Sequence, residues 1–546
     1  MLGALRQLQR ALPAAALLTV SVIVGACGSG HAHSTAVSSP TNPVTPSPTT
    51  HHGDDSLSSM FEGANQLMMA PGPTLDVLRQ LGVDRIRVDV YWRQIAPDAT
   101  RAHPPAGFDA TAPASYPASA WAPFDQVFEQ AAAHGIGVLA TVRGPAPEWA
   151  EEPGDPHQAG EPPGVWKPSP AAFGAFVRAV GTRYDGRYTP PGASHPLPRI
   201  SFWSVWNEPN DGQDLAPQAR EHSTIEVAPS LYRGLLDAGW SGLHATGHGH
   251  DTILFGETAP HGQSVGNVPG NFGLMVPLRF LRALYCVNGS FQRLTGSDAT
   301  DRGCPAGGSA ASFRGTNPAL FRAGGLAAHL YPIGPQPPTE PVADEPDDGD
   351  FGALPEIERT LDSAQAAYGD DTRLPIYSTE FGYHTDPPEP YMARPALAAE
   401  YLNEAEYLSW LNPRMRSYDQ YLLEDPPTSA SAFDTGLVFY GGHPKATFDA
   451  FRLPLYLPQT TQTAGGSLEV WGDVRPAHFY STKSVEIEFA RGASAAYTPV
   501  RTLTPGDPEG YFDALVRFPA SGTVRLAWSY PGGPEVYSRT VSVVVR

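Results

Sequence analysis

The sequence predicts an α/β chain: a parallel (β/α)8 barrel of the TIM type followed by a small C-terminal all-β sandwich. Three observations carry that expectation. From about residue 60 to 458, short apolar runs alternate with segments of helical period, and eight such pairs in series are the pattern of a closed parallel barrel. Beyond Pro458 the helical period stops, and short alternating runs separated by Pro/Gly clusters take over. The length of 546 residues accommodates one large barrel plus a smaller domain.

Residues 1–27 begin with Arg6 and Arg10, continue through the apolar run Ala11–Val24 and end in Val24-Gly25-Ala26-Cys27. That is the layout of an export signal, and the run falls short of the roughly 20 apolar residues of a spanning helix. A cysteine directly after small residues resembles the lipobox of bacterial lipoproteins. The resemblance implies that Cys27 is lipidated and anchors the chain to the outer face of the bacterial cytoplasmic membrane; a plain secretory signal is the alternative. Residues 28–55 are Ser, Thr, Pro and Gly with almost nothing apolar, so they cannot form a core and read as a disordered tether.

Residues 56–458 are the expected barrel. Strands are predicted at Met60–Ala64, Asp84–Tyr91, Gly137–Val142, Ile200–Trp206, Thr252–Phe255, Gly325–Tyr331, Pro375–Glu380 and Arg416–Leu422. The second of these shows clean period-two alternation. Helices are predicted at Thr74–Leu81, Trp121–His134, Ala171–Tyr184, 229–243, Ile357–Tyr368, Leu397–Leu411 and Ala446–Phe451. Gly135 stands where a helix C-terminus favours glycine. The long insertion before the sixth strand holds Cys286 and Cys304, which in an exported chain are most simply one disulfide. Two cysteines with no further Cys or His at zinc-finger spacing do not make a metal site, and no cofactor is expected. Residues 467–546 carry the runs Leu468–Val474, Val485–Phe489, Ala514–Phe518, Val524–Trp528 and Val541–Val545, read as a sandwich that either binds carbohydrate or braces the barrel; the lack of an obvious row of exposed aromatics favours the brace.

With 56 acidic against 36 basic residues and a formal charge of -20, the chain has no basic surplus to neutralise phosphates, which argues against a nucleic-acid partner. Two strands end on a carboxylate. Phe202-Trp203-Ser204-Val205-Trp206-Asn207-Glu208-Pro209-Asn210 runs an apolar strand into Glu208, and Leu374-Pro375-Ile376-Tyr377-Ser378-Thr379-Glu380 does the same. Pro209 disfavours helix in the residue before it, which predicts an extended Glu208. Strict alternation would send Asn207 and Glu208 to opposite faces, so both reach one site only if the strand bulges or twists at its end.

The stretch Trp203–Asn210 together with the strand-seven Glu380 resembles the clan A glycoside hydrolases, most closely family 39, over roughly residues 60–458. That resemblance implies a retaining glycosidase acting on a cell-envelope or environmental polysaccharide, with carbohydrate as its partner. It further implies Glu208 as general acid/base, Glu380 as nucleophile and Asn207 as partner of the sugar 2-hydroxyl. Tyr331 resembles the clan tyrosine that hydrogen-bonds the nucleophile. A transglycosylase using the same residues, or a surface carbohydrate-binding protein without turnover, are the alternatives. Arg87 is expected beside Glu380, or else paired with Asp84 or Asp89 on its own strand. His329, two residues before Tyr331, falls on the same face and is either a site residue or a satisfied core histidine. Trp92 and Trp149, after the second and third strands, are candidate sugar platforms or plugs of the barrel rim. The end of strand eight reads Asp419-Gln420-Tyr421-Leu422-Leu423-Glu424, without the tryptophan many clan members place there.

Overall fold

The computed structural model describes residues 57–157, 161–263, 271–341, 345–427, 433–480, 483–492 and 495–546. Eight parallel strands close into a barrel in sequence order: β1 (Ser58–Glu62), β2 (Arg85–Tyr91), β3 (Gly137–Arg143), β4 (Phe202–Val205), β5 (Thr252–Thr258), β6 (Gly325–His329), β7 (Ile376–Glu380) and β8 (Met415–Tyr421). Closure is made by β1 against β8, from Ser58 opposite Ser417 to Glu62 opposite Tyr421. The expected fold class is therefore observed. The Cys27 signal and the tether lie outside the described residues, and no described helix is long and apolar enough to cross a membrane.

The strand ends differ from expectation in ways that matter for the site. β1 lies two residues earlier than predicted, because Ser58 and Ser59 pair with β8 despite being polar, and Ala64–Met69 is a helix. In a parallel barrel both faces of a strand are covered, so polarity alternates poorly and the start of a short strand is hard to read. β5 runs on through Glu257 to Thr258, past the Phe255 at which the prediction stopped.

Helices pack around the strands. Pro71–Leu81 has a proline in its first turn and ends at Gly82 in the left-handed region (φ 80°). A side chain at Gly82 would strike the Arg475 carbonyl oxygen at 2.3 Å, so that turn requires glycine. Ala118–His134 ends at Gly135 (φ 71°), as predicted. The lower lumen is plugged by Met60, Leu139, Phe202, Leu254 and Ala327, with the Arg85 guanidinium 4.3 Å from the Phe202 ring centre. Between β5 and β6 the insertion carries the helices Pro277–Leu284, Gly296–Thr300, Ala310–Thr316 and Ala319–Arg322, tied by the predicted Cys286–Cys304 disulfide (S–S 2.04 Å).

The C-terminal strands form two sheets around their own apolar core. Leu455–Tyr456, Leu468–Asp473 and Tyr511–Val516 make the smaller one. Thr461–Gln462, Val541–Val545, Gly522–Ser529, Val485–Ala490 and Thr498–Leu503 run across the larger, so the sheets reach back upstream of residue 467. This unit seats on the barrel's outer helices. Arg475 donates to the Phe451 carbonyl (2.9 Å) and pairs with buried Glu406, which also accepts from the Tyr511 hydroxyl (3.0 Å). Trp471 stacks on Tyr511 and meets Tyr407 of the helix Pro395–Leu411 edge-on.

Candidate active site

The carboxyl ends of β4, β5, β6 and β7 meet in one buried cluster. β4 stops at Val205, after which Trp206 (φ 70°) and Glu208 (φ 36°) both take left-handed backbone. Glu208 is thus not extended, as Pro209 had suggested. This turn resolves the alternation problem, because a strand that has ended no longer obeys period two. Both Asn207 and Glu208 then reach the site. The turn is pinned from several sides: Trp206 N–H donates to the Val142 carbonyl (2.9 Å) and Glu208 N–H to the Glu257 carbonyl (2.8 Å). Asn210 donates to the carbonyls of Ala259 (3.0 Å) and Met275 (2.8 Å). A Cβ at Gly144 would lie 2.6 Å from the Trp206 ring, so the neighbouring β3 loop can pass only as glycine.

Arg87 lies at the centre, 1% exposed. Its Nη1 donates to Glu380 Oε1 (2.7 Å) and also to Glu62; its Nη2 donates to Asn207 Oδ1 (2.7 Å) and sits 3.5 Å from Asp89 and 3.4 Å from Glu257. The two expected settings of Arg87 are partly reconciled. It holds Glu380 and touches Asp89, whereas Asp84 is taken by Ser59, whose N–H and hydroxyl both donate to it (2.7 and 2.8 Å). Asn207 Nδ2 passes the chain of bonds to Asp214 (3.2 Å), which Arg143 joins to Asp89. Tyr331 donates its hydroxyl to Glu380 Oε2 (3.0 Å), as the resemblance implied.

His329 is fully buried and contacts three carboxylates. Nδ1 meets Glu208 Oε1 at 2.8 Å, Nε2 meets Glu257 Oε2 at 2.9 Å, and Glu380 Oε1 lies 3.4 Å from Nε2. Both its ring nitrogens are satisfied in the core, and the groups that satisfy them are the strand-end carboxylates themselves. Burial alone would lower its pKa, but Glu380 and the bonds to Glu208 and Glu257 raise it well above the ordinary histidine value. Burial pushes the Glu380 carboxyl above its usual range, while His329 and Arg87 pull it back. Glu62 is pushed up to about 8 by burial, against the pull of Arg87. One oxygen each of Glu208 and Glu380 and a His329 nitrogen lie within 4.8 Å of one another.

No protein-family model matches the chain, and no curated protein does. Among solved structures it is similar to a family 39 glycoside hydrolase from the gut symbiont Bacteroides cellulosilyticus WH2 (14% identity, TM-score 0.43), covering 84% of this chain and 79% of that one. It is also similar to a glucosidase from Croceicoccus marinus (12% identity, TM-score 0.46), covering 90% of this chain and 94% of that one. A β-glycosidase from Thermosphaera aggregans aligns at 13% identity and TM-score 0.43, over 71% and 84% of the two chains. At such identities and TM-scores the site's chemistry has to stand on its own geometry.

The aromatic expectations divide. Trp92 is 0% exposed, packed against Trp149, Phe173 and Phe176, and so plugs the rim and offers no platform. Its indole stacks on Phe176 and meets Phe173, both on the helix Pro170–Arg183. Trp149 is half-buried, with one edge on Trp92 and its Nε1 donating to the Pro97 carbonyl (3.0 Å). On the side where strand eight lacks a tryptophan, Phe433 leans on Tyr331 and Tyr421, both ring pairs at 5.3 Å, and is 40% exposed. Sequence reasoning missed Glu62, Glu257, Asp214 and Arg143 at the site. Glu62 and Glu257 carry the signal that found Glu208 and Glu380, an apolar strand run ending on a carboxylate: Met60-Phe61-Glu62 and Leu254-Phe255-Gly256-Glu257.

Proposed function

We propose that this chain is a retaining glycoside hydrolase, with Glu380 the nucleophile and Glu208 the general acid/base. The observation that carries the reading is the short approach of the two carboxyls at the ends of β4 and β7, with an oxygen of each within 4.8 Å of the other. Oxygens that approach this closely leave little room for the water that inverting enzymes admit between carboxyls roughly 6.5–9.5 Å apart, and so favour direct attack. The two carboxyls are also unequally held. Glu380 is fixed by Arg87 and Tyr331, the setting for a group that must attack from one position. Glu208, its side chain 23% exposed, can exchange protons with a leaving group and with incoming water.

In the first step an oxygen of Glu380 bonds to the anomeric carbon as the glycosidic bond breaks and the Glu208 proton passes to the leaving oxygen. In the second, Glu208 takes a proton from water, which displaces Glu380 and releases the sugar with its configuration retained. Asn207, oriented by Arg87 and Asp214, offers its amide to the sugar 2-hydroxyl. Both strand-end carboxylates are present with an ordered hydrogen-bond setting, which supports turnover over mere carbohydrate binding. The signal-like N-terminus with Cys27 supports an exported, lipid-anchored enzyme, and the substrate proposed is a cell-envelope or environmental polysaccharide.

A fluorosugar that traps the glycosyl-enzyme tests the reading. Peptide mapping should find the label on Glu380, and NMR should show the retained anomer as first product. Label elsewhere, or the inverted anomer first, would refute it.

A further inference from the structure

Glu257 takes no part in the steps above, yet it touches both halves of the site. Its side chain is 0% exposed at the end of β5, and its backbone is left-handed (φ 48°) beside a register shift between Gly256 and Thr258. Its Oε2 accepts from His329 Nε2 (2.9 Å) and Thr379 Oγ1 (2.7 Å) and lies 3.4 Å from Arg87 Nη2. Its carbonyl accepts the Glu208 N–H (2.8 Å). A strained non-glycine residue persists only where the surroundings determine it, and here the bonds to His329 and to the Glu208 N–H lead to the reacting pair.

We infer that Glu257 is a positioning residue whose buried carboxylate keeps His329 a doubly protonated imidazolium, so that His329 fixes where the acid proton of Glu208 resides. An ionised Glu257 requires a donor at His329 Nε2. A charged ring then also donates from Nδ1 to Glu208 Oε1, which leaves the acid proton to Glu208 Oε2. A neutral ring with a bare Nδ1 would instead accept a hydrogen bond from a Glu208 protonated on Oε1, which turns the acid proton away from the leaving group. The proton count closes without another reactant: the Oε2 proton goes to the glycosidic oxygen, water returns it, and His329 stays charged throughout.

The charges facing the ring come from every side of the barrel mouth. They are Glu208 after β4, Glu257 from β5, Glu380 from β7 and Asp419 from β8, whose carboxyl burial pushes far up, while Arg87 from β2 reaches the same Glu257 and Glu380. Burial alone would raise Glu257, but Arg87 and the bond from His329 outweigh it and bring it down to about 2.

The inference takes the roles of Glu208 and Glu380 from the glycosidase reading, but its first readout does not depend on them. In the full chain labelled with 15N-histidine, the His329 resonances, assigned by their absence in His329→Gln, should show both ring nitrogens protonated from about pH 5 to 9. A ring that loses a proton in that window overturns the inference, whether or not the chain cleaves any glycoside. In Glu257→Gln the ring should titrate within the window. The alkaline limb of kcat/KM should move acidward by about one unit or more, with kcat falling about tenfold or more and KM little changed. Glu257→Asp, which keeps the charge, should keep the wild-type pH profile. A folded Glu257→Gln with the wild-type profile refutes the role; should that variant not fold, the wild-type titration and Glu257→Asp still decide.

Discussion

Truncating Glu208 should produce a defect whose size depends on the leaving group. Its side chain meets His329 Nδ1, while Glu380 keeps Arg87 and Tyr331 regardless, so Glu208→Ala leaves the nucleophile's own setting in place. What disappears is proton transfer, worth about 10²–10⁴-fold, or roughly 2.7–5.4 kcal/mol of barrel-mouth catalysis. On an alkyl glycoside, whose leaving oxygen needs the proton, kcat/KM should fall by that whole factor. On a dinitrophenyl glycoside, which departs as a stable anion, the first step should fall little. The second step still lacks its base, so the glycosyl-enzyme should accumulate, with a burst of phenolate and a lowered apparent KM. Azide, entering the space left by the carboxylate, should speed turnover and yield a glycosyl azide of retained configuration. Glu380→Ala should be nearly inactive on both substrates, and azide there should give the inverted product. The assay is stopped-flow release of the phenol beside NMR of the azide adducts. Equal losses for Glu208→Ala on the two substrates, without a burst, would refute the acid/base assignment.

Glu62 gives a pH prediction with a definite sign. Its folded pKa, about 8, lies above the ordinary value of 4.5, so the folded state holds the proton more tightly and stability is lost as pH rises through that interval. Glu62→Gln should therefore gain stability relative to wild type between about pH 5 and 9, read as urea midpoints; a constant difference would show that Glu62 does not titrate there. The Cys286–Cys304 crosslink closes a separation of 18 residues, for which chain entropy gives about 3 kcal/mol. Replacing both cysteines by alanine should lower stability by about that amount, and an unchanged urea midpoint would show the insertion to be held by its packing alone. Cys27→Ala should release the protein from membranes into the soluble fraction; continued membrane fractionation would refute lipidation.

Much of the barrel was legible because its strands are apolar and its helices carry clear stop signals such as Gly82 and Gly135. Glu208 and Glu380 stood out as a pair, two apolar strands each ending on a carboxylate, together with the resemblance carried by Trp203–Asn210. Glu257 carries the same mark but was hidden by Gly256, which reads as the end of β5 and is instead part of an irregularity inside it (φ 108°). Partners on other strands were legible only where the family resemblance or the chemistry named them, as for Arg87 and Tyr331 with Glu380. Arg87 could be assigned to carboxylates on its own strand with equal logic, and it is the pairing of β1 with β2, Met60 opposite Arg85 and Phe61 opposite Ile86, that brings Glu62 to it. Trp92 shows the opposite failure, since a large aromatic at a strand end satisfies the pattern of a platform and of a plug alike.

The residues that resisted local rules are those that build the site. Trp206, Glu208 and Glu257 all hold left-handed backbone without being glycine, each at a cost of about 1–3 kcal/mol. Nothing in their side chains favours that geometry, and Pro209 argues for the opposite at Glu208. The cost is met by contacts far apart in sequence: the Trp206 ring fits over Gly144 and against Phe173, and the Glu208 N–H bonds to the carbonyl of Glu257, itself strained. Two strained strand ends thus hold each other, and their side chains meet again at His329. Relaxing either backbone to an extended conformation would break that hydrogen bond and turn Glu208 away from the ring, so the strain and the approach of the Glu208 and Glu380 carboxyls depend on one arrangement of the chain.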